Sequence, residues 1–285
     1  MPKSTWPFRA RGRHSATILV ERRGHSSSSR HLDSQGATRT TAIRALALKF
    51  KSVGIETDEV DVLVQFLKHQ PGVLAGADII HAAQSAGRST LLLAGVACSY
   101  KRLEDGSRQI YSFQYPGDFC DLFRFVLPDR DEAMAVQALT ECSVATIDDA
   151  DIEELLAQRP QIGLALWRTT MLEGSILRER LLNARRGSAL QSVANLLCEQ
   201  LVRREAIGMT GSVVPITQVD IADAAALSIW HVNRTIQALR SLNVLCRASH
   251  AIEVIDRKLL AKIAGFDGRY LSMPQLVSGW PRPVH

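Results

Sequence analysis

The sequence predicts an α+β protein in which a strand-rich N-terminal part is joined by one long helix to a C-terminal winged helix-turn-helix. Short runs of strand-forming residues lie between positions 91 and 147, and a helix-like apolar segment runs from Gln161 to Asn183. Two capped helical segments followed by two short strands occupy positions 215–255. At 285 residues and 46% hydrophobic content, the chain is long enough for two domains, each with its own core.

Charge is distributed unevenly along the chain. The net charge of +5 comes largely from residues 1–30, which carry +6, whereas residues 31–184 carry −6 and residues 185–265 carry +4. A basic C-terminal domain beside an acidic N-terminal one suits a domain that approaches phosphates. Residues 1–40 are rich in Arg and Ser without periodicity, and they are predicted to form a disordered basic arm.

Neither a membrane span nor a metal site is indicated by the sequence. No apolar run approaches the roughly 20 residues that cross a bilayer, and no signal-peptide core is present near the N-terminus, so we expect a cytoplasmic protein with no membrane partner. No cysteine pair has metal-site spacing, which predicts reduced, mostly buried thiols without a metal or cofactor. His69 and His81 leave haem ligation open. The cysteines are Cys98, Cys120, Cys142, Cys198 and Cys246.

The N-terminal part begins with predicted helices and continues with strands. Short helices are expected from Ala42 to Lys68. Strand formers in Leu91–Lys101 and Arg108–Gln114 flank a charged turn at 104–106 and predict a hairpin, and Val136–Ile147 is predicted as a further strand.

The segment Gln161–Asn183 predicts a helix that is apolar on more than one face. Such a helix must be covered on more than one side, by the strand-rich domain and by a second copy of itself. We therefore expect a homodimer, with a helix buried inside a monomer as the alternative. The residues expected at the dimer contact are Ile162, Leu166, Met171 and Ile176.

The segment 215–243 predicts a helix-turn-helix. Thr217 can cap a helix that runs to about Ala224, a turn follows through 225–227, and Ser228 can cap a second helix that reaches Leu239 or beyond. Leu245–Ser249 and Ile252–Ile255 predict two strands around a turn at positions 250–251, which supplies the wing.

The second helix is expected to point polar residues away from its apolar stripe of Val232, Ile236 and Leu239. Arg, Asn and Gln side chains recognise guanine and adenine edges in the major groove, so this face predicts double-stranded DNA as the partner. The alternative is that Trp230 packs against the wing or another domain while Arg234 is solvated. The candidate DNA-contacting residues are Thr217, Gln218, Ser228, Ile229, Trp230, His231, Asn233, Arg234 and Gln237.

Three segments together resemble the Crp/Fnr family of bacterial transcription regulators, over about residues 70–270. LCEQLVRRE and PITQVDIADAAALSIWHVNRTIQALRSLNVL, with the hairpin ending in IEVID, resemble its DNA-binding half. LLLAGVACSYKRLEDGSRQIYSFQYPGDFCDL resembles its β-roll sensor, and the segment that starts RPQIGLALW resembles its dimer helix and hinge. One departure is Ala226, where the family usually has Gly in the turn.

The resemblance implies a complete domain plan. It consists of a β-roll sensor that is a cyclic-nucleotide-binding-like jelly roll (41–160), a dimerisation helix and hinge (161–186), a winged helix-turn-helix (187–265) and a C-terminal tail (266–285). Two-fold symmetry would place two recognition helices on an inverted-repeat site. RNA polymerase is a further candidate partner.

The loop after PGDF departs from the pattern of the members that bind cyclic nucleotides. There a Gly, an acidic residue and an Arg-Ser pair contact the ribose and cyclic phosphate, whereas here Glu132 and Ala133 align with the Arg and Ser. A glutamate repels a phosphate, so the sequence predicts that cyclic AMP does not bind, unless Arg124 or Arg130 substitutes. The candidate effector-pocket residues are Asp118, Cys120, Asp121 and Arg124, and the effector is unknown.

Two other classes of protein compete with a DNA-binding regulator. A cupin-like enzyme would share the β-roll, but it needs clustered His and carboxylate ligands, and no nucleophile elbow, HExxH or Walker loop is present. A signalling protein could use its winged helix to bind protein, which the salt dependence of DNA binding would distinguish.

Overall fold

Two antiparallel sheets form the N-terminal part in the computed structural model, which describes residues 40, 43–55, 58–81, 87–127, 134–249, 251–273, 277–278 and 280. One sheet has the strand order β1 (Lys68–His69), β7 (Ser143–Asp148), β3 (Arg88–Ala94). The other has the order β2 (Asp78–Ile80), β6 (Met134–Ala138), β4 (Ala97–Arg102), β5 (Arg108–Gln114). Buried side chains from β2, β3, β4, β6 and β7 share one cluster, so the sheets enclose a common core.

Two strands predicted from the sequence are each divided into two. The segment Leu91–Lys101 breaks between β3 and β4, and Val136–Ile147 breaks between β6 and β7, so each half joins a different sheet. The first break needs Gly95, which has φ 91° and where a Cβ atom would collide with the carbonyl oxygen of Glu141. The predicted hairpin is confirmed, because β4 and β5 pair antiparallel across residues 103–107.

Four helices cover the outer side of the first sheet or lead away from it. Residues 43–52 form helix α1, and α2 (Asp58–Gln65), α4 (Asp149–Gln158) and the start of α5 (Pro160–Arg186) bury side chains in the same cluster as β3 and β7. A one-turn helix α3 (Phe123–Val126) follows the PGDF turn. None of the helices described is long and apolar enough to cross a membrane.

The burial of side chains on helix α5 corrects the set of residues expected at a dimer contact. Ile162, Leu166 and Ile176 are 0%, 5% and 4% exposed because the chain's own β-strands and helices cover them. Met171 alone of the four predicted residues is exposed, at 49%. The outward apolar row on this helix consists of Trp167, Met171, Leu177, Leu181 and Leu182.

The C-terminal part has the predicted winged helix-turn-helix. After α6 (Ala189–Ala206) come α7 (Gln218–Ala225) and α8 (Ile229–Ser241). The three-stranded wing sheet has the order β8 (Val213–Val214), β10 (Ala251–Val254), β9 (Leu245–Ala248), and α9 (Arg257–Ala264) packs on α6.

The two halves share part of their core, contrary to the expectation of a separate core in each domain. One cluster joins the hairpin β4–β5 to α6, α7 and α8, and α7 packs directly on β5. Tyr115 donates a hydrogen bond to Gln200 (2.8 Å), and Arg203 donates one to the carbonyl oxygen of Phe113 (2.8 Å). Phe266 and Leu271, beyond the predicted wing, are buried in the same cluster.

Candidate nucleic-acid interface and effector region

Both helices of the helix-turn-helix begin at side-chain caps. The Thr217 hydroxyl accepts from the backbone N–H of Asp220 (3.2 Å), while the Asp220 carboxylate accepts from the backbone N–H of Thr217 (2.8 Å), which is a complete capping box. Ser228 accepts from the backbone N–H of His231 (3.3 Å), and its hydroxyl lies 2.7 Å from Nδ1 of the same residue. The predicted starts of α7 and α8 are therefore confirmed.

Ala226 occupies the tight turn between α7 and α8. Its φ of 53° is in the left-handed region, and its backbone N–H bonds to the carbonyl oxygen of Ala222. Left-handed backbone at a helix C-terminus normally selects Gly, because a Cβ atom there is unfavourable. The turn thus has the geometry that a Gly would give, although the Cβ atom of Ala226 makes this conformation sterically unfavourable.

The outward side of α8 is polar and aromatic, as predicted. Val232, Ile236 and Leu239 are fully buried, whereas Trp230 is 61% exposed and the Arg234 guanidinium lies over its indole, 5.7 Å from the ring centroid. Trp230 is therefore not packed against the wing or another domain. We call Trp230, Asn233, Arg234 and Gln237 the recognition surface.

The other predicted DNA-contacting residues surround this surface. Ile229 is 50% exposed, and Ser228 and His231 are exposed beside it at the start of α8. Gln218, at the start of α7, accepts a hydrogen bond from the Asn233 amide (3.3 Å), which ties the two helices together. Thr217 is half-buried, and its hydroxyl donates to Asp220 (2.7 Å).

An arginine from the N-terminal half contacts α7, and sequence reasoning missed it. Arg108 Nε lies 2.7 Å from Asp223 Oδ2, and one of its terminal nitrogens lies 2.7 Å from Asp220 Oδ1. The neighbouring Gln109 amide donates to the carbonyl oxygen of Asp223 (2.5 Å). Because these partners lie more than 100 residues apart, no local pattern could have paired them.

The four predicted effector-pocket residues are buried, and the side chains of three of them bond to other groups of the protein. The Asp118 carboxylate accepts from the backbone N–H of Tyr115 (2.9 Å) and pairs with Lys49 and with Arg203 (3.1 Å). Asp121 accepts from the backbone N–H of Thr90 (2.7 Å). The predicted loss of the phosphate clamp depends on Arg130, Glu132 and Ala133. These residues lie outside the part of the chain that the structure describes.

Cys120 and Arg124 likewise face the protein interior. Arg124 donates to the carbonyl oxygen of Met134 (3.2 Å), and burial raises the pKa of the Cys120 thiol well above its usual range. Two narrow cavities, each of about 20 Å³, border Asp118 and Cys120 respectively. Each of these spaces admits about one water molecule and not a nucleotide. The assignment of these four residues to an effector pocket stays a prediction.

A larger cleft of about 210 Å³ lies where the N-terminal half meets the helix-turn-helix. Its walls come from β5, the C-terminal part of α5, the start of α6 and the end of α7, and they include Ile110, Leu177, Leu181 and Ala225. Leu177 and Leu181 belong to the outward apolar row of α5.

The predicted burial of the thiols is confirmed for four of the five cysteines, and Cys246 is partly exposed. Burial raises the pKa of Cys98 to about 12 and that of Cys142 to about 11, which holds both thiols in the unreactive protonated form. In the described part of the chain, no group of three or more His, Cys, Asp or Glu side chains could hold a metal ion.

Family models match both halves of the chain. Residues 73–159 match the cyclic nucleotide-binding domain, and residues 191–263 match the Crp-like helix-turn-helix domain.

Two curated transcription regulators are similar to this chain in sequence. The transcriptional activatory protein AadR of Rhodopseudomonas palustris is 26% identical, covering 78% of this chain and 91% of that protein. The nitrogen fixation regulation protein FixK of Bradyrhizobium diazoefficiens is 31% identical, covering 58% of this chain and 69% of that protein.

Solved structures share the fold. FixK2 from Bradyrhizobium japonicum superposes with a TM-score of 0.60 at 23% identity, over 69% of this chain and 96% of that one. A CRP-family transcriptional regulator from Thermus thermophilus superposes with a TM-score of 0.58 at 17% identity, over 69% of this chain and 97% of that one.

Proposed function

Because the chain belongs to the Crp/Fnr family of transcription regulators, we propose that it binds an inverted-repeat promoter site as a homodimer, with α8 as the recognition helix. The recognition surface carries this proposal, since an aromatic residue, an arginine and two amides face solvent on a helix whose other side is fully buried. As a regulator acting on promoter DNA and RNA polymerase, the protein would work in the cytoplasm.

The proposed contact with DNA has two parts, phosphate contacts that position the protein and base contacts that recognise the sequence. Basic side chains of the C-terminal half, which carries a net +4 over residues 185–265, would neutralise phosphates without regard to sequence. On α8, the planar guanidinium of Arg234 suits two hydrogen bonds to N7 and O6 of a guanine, and the amide of Gln237 suits an adenine. Asn233 is held by Gln218, so its orientation is set before DNA arrives.

The outward apolar row of α5 supports the homodimer. Trp167 and Met171 are 62% and 49% exposed on a helix that runs for 27 residues. Large apolar side chains grouped on one exposed face mark an interaction surface. A second copy of the same helix, related by a two-fold axis, would cover this row and place two copies of α8 on successive major grooves.

We also propose that the sensor half does not respond to cyclic AMP. The carboxylates and the arginine near the PGDF turn bond to the fold itself, and the described cavities beside Asp118 and Cys120 are too small for a nucleotide. Calorimetry with cyclic AMP is expected to give no heat of binding. Micromolar affinity for cyclic AMP or cyclic GMP would contradict this part of the proposal.

Arg234→Ala tests the DNA-binding proposal. A site is first selected from random duplexes with the wild-type protein, and binding is then measured by footprinting at several salt concentrations. The variant is expected to lose about 5- to 150-fold per half-site in preference for that site over unrelated DNA, because one bidentate base contact supplies about 1–3 kcal/mol of discrimination.

The matched control is Arg88→Ala, which removes an exposed arginine from the sensor half and should leave the preference unchanged. Unchanged specificity in Arg234→Ala would show that α8 does not recognise the site. If the wild-type protein enriches no sequence, or if its DNA affinity does not fall with salt, the winged helix has another partner.

A further inference from the structure

Trp230 is the large aromatic residue of the recognition surface, and its ring is held in place before any partner binds. The Arg234 guanidinium lies over the indole, and the His231 ring meets it edge-on with centroids 5.0 Å apart and an interplanar angle of 82°. His231 is fixed in turn by the Ser228 hydroxyl, 2.7 Å from its Nδ1. The indole is thus oriented by two neighbours while 61% of the residue stays exposed.

The spacing of Trp230 and Arg234 suits two neighbouring base pairs. They are four residues apart on one face of α8, where residues at this spacing are neighbours, and the Arg234 guanidinium lies 5.7 Å from the indole centroid. Adjacent base pairs are about 3.4 Å apart, so the two side chains can reach neighbouring base pairs. Trp230 is the second residue of the helix, in the N-terminal turn that approaches base edges in a helix-turn-helix complex.

The chemistry of an indole limits what it can recognise in the major groove. Its ring is apolar, and its single polar group is an N–H donor, so it cannot accept from the amino groups of cytosine or adenine. The C5-methyl group of thymine is the apolar feature that the major groove offers. Covering this methyl group with the indole removes apolar surface of both partners from water.

We propose that Trp230 is a specificity-determining residue whose indole packs against the methyl group of a thymine in the base pair next to the guanine bound by Arg234. The inference rests on the proposed function, since it assumes that α8 enters the major groove. It adds a base preference, so each half-site would contain a thymine and a guanine in adjacent base pairs. The contact between the Arg234 guanidinium and the indole keeps the two side chains next to each other, so that they face these two adjacent base pairs.

The test uses deoxyuridine, which differs from thymidine only by the missing methyl group. In the site selected by the wild-type protein, each thymine is replaced by uracil in turn, symmetrically in both half-sites, and the affinity of each duplex is measured. One position next to the guanine is expected to lose about fourfold in affinity per half-site, the effect of one buried methyl group. Uracil at other positions should have little effect.

Trp230→Ala is expected to bind the selected site more weakly and to lose the preference for thymine over uracil at that position. Leu242→Ala is the matched control, because it removes a 50% exposed apolar side chain just after the same helix and should keep the preference. Trp230→Phe, which retains an aromatic ring, should keep a reduced preference. Salt-dependent binding to unrelated DNA shows that each variant is folded.

The results separate this inference from the proposed function. If Trp230→Ala discriminates thymine from uracil as the wild-type protein does, or if no position in the wild-type site responds to the methyl group, the role of Trp230 is wrong while DNA binding stands. If the wild-type protein selects no site at all, the proposed function fails first.

Discussion

Arg108 connects the N-terminal half to the helix-turn-helix through a single guanidinium. Its side chain is 16% exposed and contacts two carboxylates of α7, and one of these, Asp220, also completes the capping box with Thr217. A cation placed between two acidic residues offsets the repulsion between them and fixes the orientation of α7 on the hairpin. The residue that starts β5 therefore helps to hold the helix-turn-helix on the N-terminal half.

We predict that Arg108→Ala lowers the free energy of unfolding by about 3 kcal/mol, because it leaves two largely buried carboxylates without their cation. Urea denaturation at pH 7 measures this change. Arg102→Ala is the control, since it removes an exposed arginine from the same hairpin and should change stability by less than about 0.5 kcal/mol. Equal stability of the two variants would contradict a structural role for Arg108.

The turn between α7 and α8 shows how an element keeps its geometry with an unfavourable residue. The caps of both helices and the buried stripe of α8 fix the helix ends, so the connecting residue must take a left-handed conformation whatever its side chain. The sequence predicted the turn, and it also indicated that Ala226 departs from the usual Gly. Whether the turn would change shape depended on the packing of both helices, which local sequence patterns do not specify.

Ala226→Gly is predicted to stabilise the protein by about 1 kcal/mol, because Gly adopts φ near 53° without a Cβ penalty. Thermal unfolding followed by calorimetry should show a higher Tm. Ala225→Gly is the matched control, since position 225 is the last helical residue and Gly there should destabilise by up to about 1 kcal/mol. A lower Tm for Ala226→Gly would mean that the turn carries no strain.

The whole molecule has an exposed apolar row along α5, which we expect a second copy to cover. Trp167→Glu and Met171→Glu are predicted to shift the protein from dimer to monomer at micromolar concentration, since each places a charge where apolar surface would be buried. Analytical ultracentrifugation measures the mass. Leu74→Glu changes a 72% exposed residue of the N-terminal half outside α5, and this variant should remain a dimer. A wild-type monomer would contradict the proposed assembly.

The amino-acid sequence by itself determined some of the elements, among them the helix-turn-helix, and the recognition surface. Caps at Thr217 and Ser228, the buried stripe of α8 and the hairpin β4–β5 all follow from patterns within about 20 residues, where backbone geometry and hydrophobic spacing act locally. For the same reason, the outward position of Trp230 and Arg234 could be predicted before the fold was known.

Only the tertiary structure decided what covers each surface. Hydrophobic spacing shows that Ile162, Leu166 and Ile176 are apolar, but it does not show that the chain's own strands and helices bury them while Trp167 stays exposed. The pairing of Arg108 with α7 also depends on the path of the chain between residues more than 100 positions apart. Contacts between residues so far apart in the sequence form only when complete helices and strands pack together, so local sequence patterns do not indicate them.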